Sequence, residues 1–145
     1  VYDSQCFMNC SKLKCINLNN NKTIFGNDVF EGCVSLESIL FENQKLKTYS
    51  GEVSYTFYNQ FKKKQIICEN IKVKCNDLMT FGIDILKFQK VHSIDEGAFF
   101  NNTTITEIEI PNNITAIGNF CFVCATKLER VVLPLSITGT PSFLF

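Results

Sequence analysis

The residues with the most evident capacity for chemistry are eight cysteines, Cys6, Cys10, Cys15, Cys33, Cys68, Cys75, Cys121 and Cys124, in a chain of 145 residues with a single histidine, His92. Thiols in that number can form disulfides, bind zinc as thiolates, work as a redox dithiol, or stay reduced as small apolar side chains. Cys121-Phe122-Val123-Cys124 is the single C-x-x-C pair, and no second pair stands at zinc-finger distance from it. A catalytic dithiol of the thioredoxin kind also needs a strand-to-helix setting. Any Cys-His or Ser-His mechanism would have to use His92. Lying between Val91 and Ile94, it is expected to point outward at a turn, where an imidazole is ordinarily solvated. The chain has no Gly-rich phosphate loop, no H-E-x-x-H and no G-x-S-x-G. The expectation is a protein that is not an enzyme, with no catalytic, cofactor-binding or metal-binding residues.

A second kind of chemistry is covalent modification. Asn9-Cys10-Ser11, Asn21-Lys22-Thr23, Asn101-Asn102-Thr103, Asn102-Thr103-Thr104 and Asn113-Ile114-Thr115 have the form of N-glycosylation acceptors. In a secreted eukaryotic protein they would be loop sites, and turns expected at 21 and 101–104 suit that. A chain rich in Asn, Lys and Ile also yields such triplets by chance, and Asn favours turns in its own right. Both readings stand.

Composition narrows the classes. Hydrophobic residues make up 46% and charged residues 19%, Lys plus Arg balance Asp plus Glu at 14 each, and there are 14 Phe. That is the hydrophobicity of a folded chain of one domain's length. A balanced chain has no basic field to gather phosphates. Its densest positive run, Lys62-Lys63-Lys64, is too short to track a nucleic-acid backbone and reads as a solvated insertion or a contact patch. Lys, Asn or Asp interrupts every apolar run well short of the roughly 18 residues that span a bilayer. Neither nucleic acid nor direct membrane insertion is expected. The chain opens at Val1, which fits a removed leader or a piece of something longer.

What must position these residues is a repeat. Phe7, Phe30, Phe99, Phe122 and Phe145 are spaced by 23, 69, 23 and 23, and 69 is three times 23. Six residues after four of them stand Leu13, Leu36, Ile105 and Leu128. Three further on are Ile16, Ile39, Ile108 and Val131, and two beyond those Leu18, Phe41, Ile110 and Leu133. The I-x-I pieces alternate with period two and read as short strands with first and third residues inward. Pro111 and Pro134 end two of them, since proline cannot donate to a ladder. The Phe then anchors the opposite wall, and coils stacked about 4.8 Å apart bury one another's apolar faces. Cys68 and Ile71 keep the step to Val91 and Ile94, while residues 46–67 match poorly, so one coil there is degenerate or carries an insertion.

Ile94-Asp95-Glu96-Gly97-Ala98-Phe99, then Ile105-x-x-Ile108-x-Ile110-Pro111 and Ile114-Thr115-x-Ile117-Gly118, resemble the BspA-type leucine-rich repeat. Residues 22–43 and 91–136 carry the resemblance well, 6–18 moderately and 46–90 poorly. Asn102 and Ala125 replace the usual Cys, Cys121 replaces Ala, and Phe41 is followed by Glu42 rather than Pro. The resemblance implies an α/β-type leucine-rich-repeat solenoid of ~23-residue coils, one short strand per coil, with a degenerate central coil. It would span 1–145 as one domain, clear near 6–43 and 91–145 and degenerate at 46–90, within a longer array. It also implies that Cys10 and Cys33 occupy the family's Cys position, where a reduced thiol stacks on its equivalent in the next coil, with disulfide and metal as the other readings.

Families of this kind imply a curved surface protein that attaches to host or cell-surface proteins, without catalytic residues. The outward residues of the strands and the residues before them would then meet a protein partner: Asn17, Ser38, Leu40, Lys87, Glu107, Glu109, Arg130 and Val132, with Leu40 and Val132 as the apolar centre. The alternative is an intracellular, cytoplasmic scaffold or a recognition domain of a larger signalling protein. The last coil, with Leu133, Leu144 and Phe145 expected in the open, offers self-association.

Overall fold

The computed structural model describes residues 2–18, 24–41, 44–45, 48–62, 66–138, 141–142 and 144–145. It is a small α/β structure of short strands and few helices that packs as two units, Val1–Asn70 and Ile71–Phe145.

In the first unit β1 (Cys15–Leu18) pairs in parallel with β2 (Ser38–Phe41), Cys15 opposite Ser38 and Leu18 opposite Phe41, an offset of 23 residues. The strands fall on the I-x-I pieces, with Leu18 and Ile39 buried and Ile16 half-buried. The side chain of Phe41 lies outside what is described. After Phe41 comes Glu42 in place of proline, and β3 (Gln44–Lys45) folds back to pair antiparallel with β2. On the opposite wall Phe7 stacks on Phe30 with centroids 5.4 Å apart and planes at 5°. Beside them Phe25 stacks on Tyr49 at 4.9 Å and 6°. Gly26 stands against the backbone of Ser4 in the preceding coil, where an added Cβ would come within 2.5 Å of its nitrogen, so only glycine lets the coils close there. β4 (Thr48–Ser54) leads into α1 (Tyr55–Phe61), started by the Ser54 hydroxyl, which accepts from Phe57 N–H at 3.1 Å and donates to Glu31 at 2.7 Å. Phe57 and Phe61, one turn apart, bury the inner face of α1.

In the second unit residues 71–73 of β5 (Ile67–Val73) run parallel to β6 (Val91–Ile94), Val73 opposite Ile94, with a register irregularity after Ile71. β6 pairs with β8 (Ala116–Ile117), Ile94 opposite Ile117, and β7 (Glu107–Glu109) pairs with β9 (Arg130–Val132), both at an offset of 23. Phe99 stacks on Phe122 at 5.1 Å and Phe122 on Phe145 at 5.8 Å. The Gly97, Phe99 and Asn101 N–H groups donate to the carbonyls of Asn119, Cys121 and Val123, so the turns are laddered as well as the strands. α2 (Cys75–Phe81) begins where the buried Asp77 carboxylate accepts the Lys74 N–H at 2.8 Å, and a 3-10 turn follows at Ile83–Lys87.

Several expectations are corrected. Within 46–90, read as degenerate with one coil at 46–67 degenerate or carrying an insertion, the described residues hold two helices and a 3-10 turn. His92 lies on strand β6, half-buried, instead of at a turn. Leu133, inward by strand alternation but expected in the open on the last coil, is 40% exposed: its equivalent Ile110 is tied to the following coil through its N–H to Val132, while β9 ends at Val132. Leu144, expected exposed, is buried, its carbonyl accepting the Phe122 N–H at 2.9 Å.

Candidate functional site

A strand buried on one side presents every second residue outward, so the candidate surface follows from the buried set. In the second unit Ile108 is buried between exposed Glu107 and Glu109, and across β7/β9 Glu107 faces Arg130 and Glu109 faces half-buried Val132. Arg130 and Glu107 form an ion pair at 3.7 Å with side chains 69% and 70% exposed. Such a pair contributes at most about 1 kcal/mol to stability and leaves both charges open to a partner. In the first unit exposed Asn17 faces half-buried Leu40 across β1/β2, and half-buried Ser38 faces Cys15. The structure thus groups Glu107, Glu109, Arg130 and Val132 on one strand pair, and Asn17, Ser38 and Leu40 on another.

Lys87 belongs to neither. It ends the 3-10 turn, where its ammonium donates to Asp84 at 2.8 Å, a bond that raises the Lys87 pKa and lowers that of Asp84. Its expected strand place is corrected accordingly.

The thiols divide by burial. Cys33 is buried, held protonated by desolvation, and donates to the Phe7 carbonyl at 3.0 Å, while Cys10, one coil earlier, is exposed. Burial pushes the Cys121 thiol up to about 12, whereas Cys124 is exposed on backbone with φ 58°. The C-x-x-C pair therefore sits in a laddered turn with one thiol inside and one outside, flanking buried Phe122. A thiol kept neutral by burial is a poor nucleophile. Among the described residues no group of three or more His, Cys, Asp or Glu is placed to hold a metal ion, and no helix is long and apolar enough to cross a membrane.

Two features escaped the sequence reading. A groove of about 380 Å³ is lined by Leu78 and Met79 of α2 and by the Phe99–Thr104 turn, with Met79 80% and Phe100 47% exposed. A second hollow of about 310 Å³ lies among Leu128, Arg130, Val131 and Phe145. The available signal was the doublet Phe99-Phe100, since one coil anchor needs only one Phe and the second is left to face outward.

Parallel strands offset by one repeat, stacked phenylalanines at the same interval and an outward polar strand face define a repeat protein. Its particular kind is the BspA type leucine rich repeat region, which matches the chain in six copies over residues 2–81 and 81–145; the chain belongs to this family. The match takes in residues 46–90, which the residue columns alone carry poorly. Leucine-rich-repeat domains generally mediate protein–protein interaction and are typically non-enzymatic, and the BspA type is typically found in surface proteins. No curated protein and no solved structure matches the chain.

Proposed function

We propose that the chain is a non-catalytic adhesion module of a microbial cell surface, binding a host or cell-surface protein through its outward strand residues. On this reading residues 1–145 are one solenoid of about 23-residue coils within a longer array. The observation that carries it is the strand pair β7/β9: Glu107, Glu109 and Arg130 are exposed around buried Ile108, so their charges serve no core and stay accessible to a partner, the exposed Glu107–Arg130 pair included. Val132 supplies an apolar contact among them, the mixture typical of protein interfaces. Asn17, Ser38 and Leu40 make a second such patch, and Lys87 an outlying one.

The test uses the chain immobilised against detergent extracts of host-cell surfaces. The double variant Glu109→Gln with Arg130→Gln should lose captured protein at least about tenfold, a 1.4 kcal/mol effect, while stability falls by no more than the roughly 1 kcal/mol that the exposed Glu107–Arg130 pair can supply. Equal capture would refute the strand face, and a larger loss of stability would mean that these side chains serve the fold.

The intracellular alternative draws support from exposed Cys6, Cys10, Cys15, Cys75 and Cys124, which a reducing compartment tolerates better than an oxidising one. Native protein with all eight thiols titrating and no leader would favour it. Self-association through the last coil rests on Leu133, Leu135 and Phe145, exposed at 40%, 104% and 68%. Light scattering should show association well above micromolar concentration, and a persistent monomer would reject it.

A further inference from the structure

We propose that Asn101 is an N-glycan attachment site, and that the first sugars lie over the groove bordered by Met79 and Phe100. The proposal rests on the cell-surface reading for its occurrence in the native protein. Its geometry is independent of that reading.

The structure separates the acceptor triplets. The Asn113 amide nitrogen, the atom that would carry the sugar, donates to the carbonyls of Leu86, Phe88 and Val91 at 2.9, 3.2 and 2.8 Å, tying the 3-10 segment to the start of β6. Glycosylation there would break a structural tie. Asn102 accepts through Oδ1 from the Thr104 N–H and hydroxyl and from the Ile105 N–H, at 2.9, 3.1 and 2.9 Å, which immobilises both its carboxamide and the threonine of its triplet. The Asn9 carboxamide lies in the space that Gly32 leaves by lacking a Cβ. Asn21 lies outside the described residues.

Asn101 shares an exposed left-handed turn with Asn9 and differs in that the equivalent residue of the next coil is Cys124, not a glycine for its carboxamide to cover. It is exposed at a turn with φ 56°, a conformation Asn adopts more readily than most residues, and its backbone N–H is secured to Val123 at 3.0 Å. Thr103, the hydroxyl of its triplet, is also exposed. Next to it the groove is uncharged: Leu78, Met79 and Phe100 supply apolar surface, Thr103 and Thr104 hydroxyls. A neutral pyranose suits such a surface, because its C–H face covers an aromatic ring while its hydroxyls meet polar groups at the rim. Without a cover, Met79 and Phe100 remain an apolar rim in water.

In the transfer, the Asn101 amide nitrogen bonds to the anomeric carbon of a lipid-pyrophosphate oligosaccharide. The carbon–oxygen bond to pyrophosphate breaks, the lipid pyrophosphate leaves, and the amide gives up one proton.

The test is expression of the chain in a eukaryotic host behind that host's own leader, so that entry does not depend on a native one. Chain secreted to the medium and chain retained in the membrane fraction are both deglycosylated enzymatically in heavy-oxygen water and mapped by mass. Asn101 should convert to labelled aspartate in most molecules, and Asn101→Gln and, as a second variant that keeps the asparagine, Thr103→Ala should each lose one glycan's mass. Binding of a hydrophobic dye should rise on deglycosylation of the parent chain and not of Phe100→Ser. An unmodified Asn101 overturns the site even if Asn9 or Asn21 is occupied, an outcome that leaves the surface reading intact. Unchanged dye binding overturns the cover. A native protein made without a leader would sink the surface reading alone and leave the acceptor geometry standing.

Discussion

Two kinds of coil share this chain and differ in how they turn. In the regular coils the turn passes twice through the left-handed region, four residues apart: Gln5 and Asn9, Asp28 and Gly32, Gly97 and Asn101, Phe120 and Cys124. Each of these turns places a phenylalanine in the ring stack of its own unit and ladders its backbone to the next coil. In the coils that begin at Tyr49 and Val73 the same place is taken by α1 and α2. Their cores are met by Phe57 and Phe61 in one, and secured by buried Asp77 in the other. A β-strand repeat therefore tolerates either connection, provided that an apolar anchor returns to the opposite wall. A left-handed turn depends on backbone conformations costly to most residues, whereas a helical turn depends on its cap.

Substitutions should separate the two. Phe30→Ala removes a fully buried ring from between Phe7, Phe25 and Tyr49 and should cost about 3–5 kcal/mol in denaturant unfolding. A cost under about 1 kcal/mol would mean that the column does not hold the regular coils. Next is alkaline stability. The folded Cys121 thiol, at about 12, lies above its ordinary 9.0, so the stability it contributes is complete below pH 9.0 and is lost as pH rises toward 12. Cys121→Ala, which matches buried Ala98 one coil earlier, should lessen the fall of Tm in that window, leaving the part that buried Cys33 and Tyr49, both also raised by desolvation, contribute; an unchanged alkaline slope would place the effect elsewhere. Ser54→Ala, which uncaps α1 and removes its bond to Glu31, should cost about 1 kcal/mol and loosen the helical coil selectively in hydrogen exchange. The smallest effect is a gain. Cys124 is exposed and left-handed where the equivalent residues are Asn9, Gly32 and Asn101, so Cys124→Gly should stabilise by about 0.5–1 kcal/mol. A loss on calorimetry would assign the thiol a bonding role.

Much of the regular part was legible. The I-x-I pieces became β1, β2, β7 and β9, and the phenylalanine column became the stacked rings, because strand alternation and a fixed period are written directly in residue type. The outward positions Asn17, Glu107, Glu109 and Arg130 followed from the same alternation and are exposed. The helical coils were not legible, since their interval drifts. Phe25 to Tyr49 is 24 residues and Val73 to Ile94 is 21, so a fixed count of 23 slides off the column. Lys87 shows the consequence: a step of 23 sets it under inward Ile110 and not under an outward residue, and it stands on a 3-10 turn. Of the groove beside Phe100 only the Phe99-Phe100 doublet was legible, because its other wall is α2.

The central claim is that neighbouring strands are successive repeats in parallel register. Solution NMR of the isotopically labelled chain tests it through contacts between backbone protons of Ile16 and Ile39, Ser93 and Ala116, and Ile108 and Val131, each pair 23 residues apart. The account predicts all three sets with a parallel pattern. Antiparallel contacts between these strands, or a different neighbour for any of the three pairs, would contradict it.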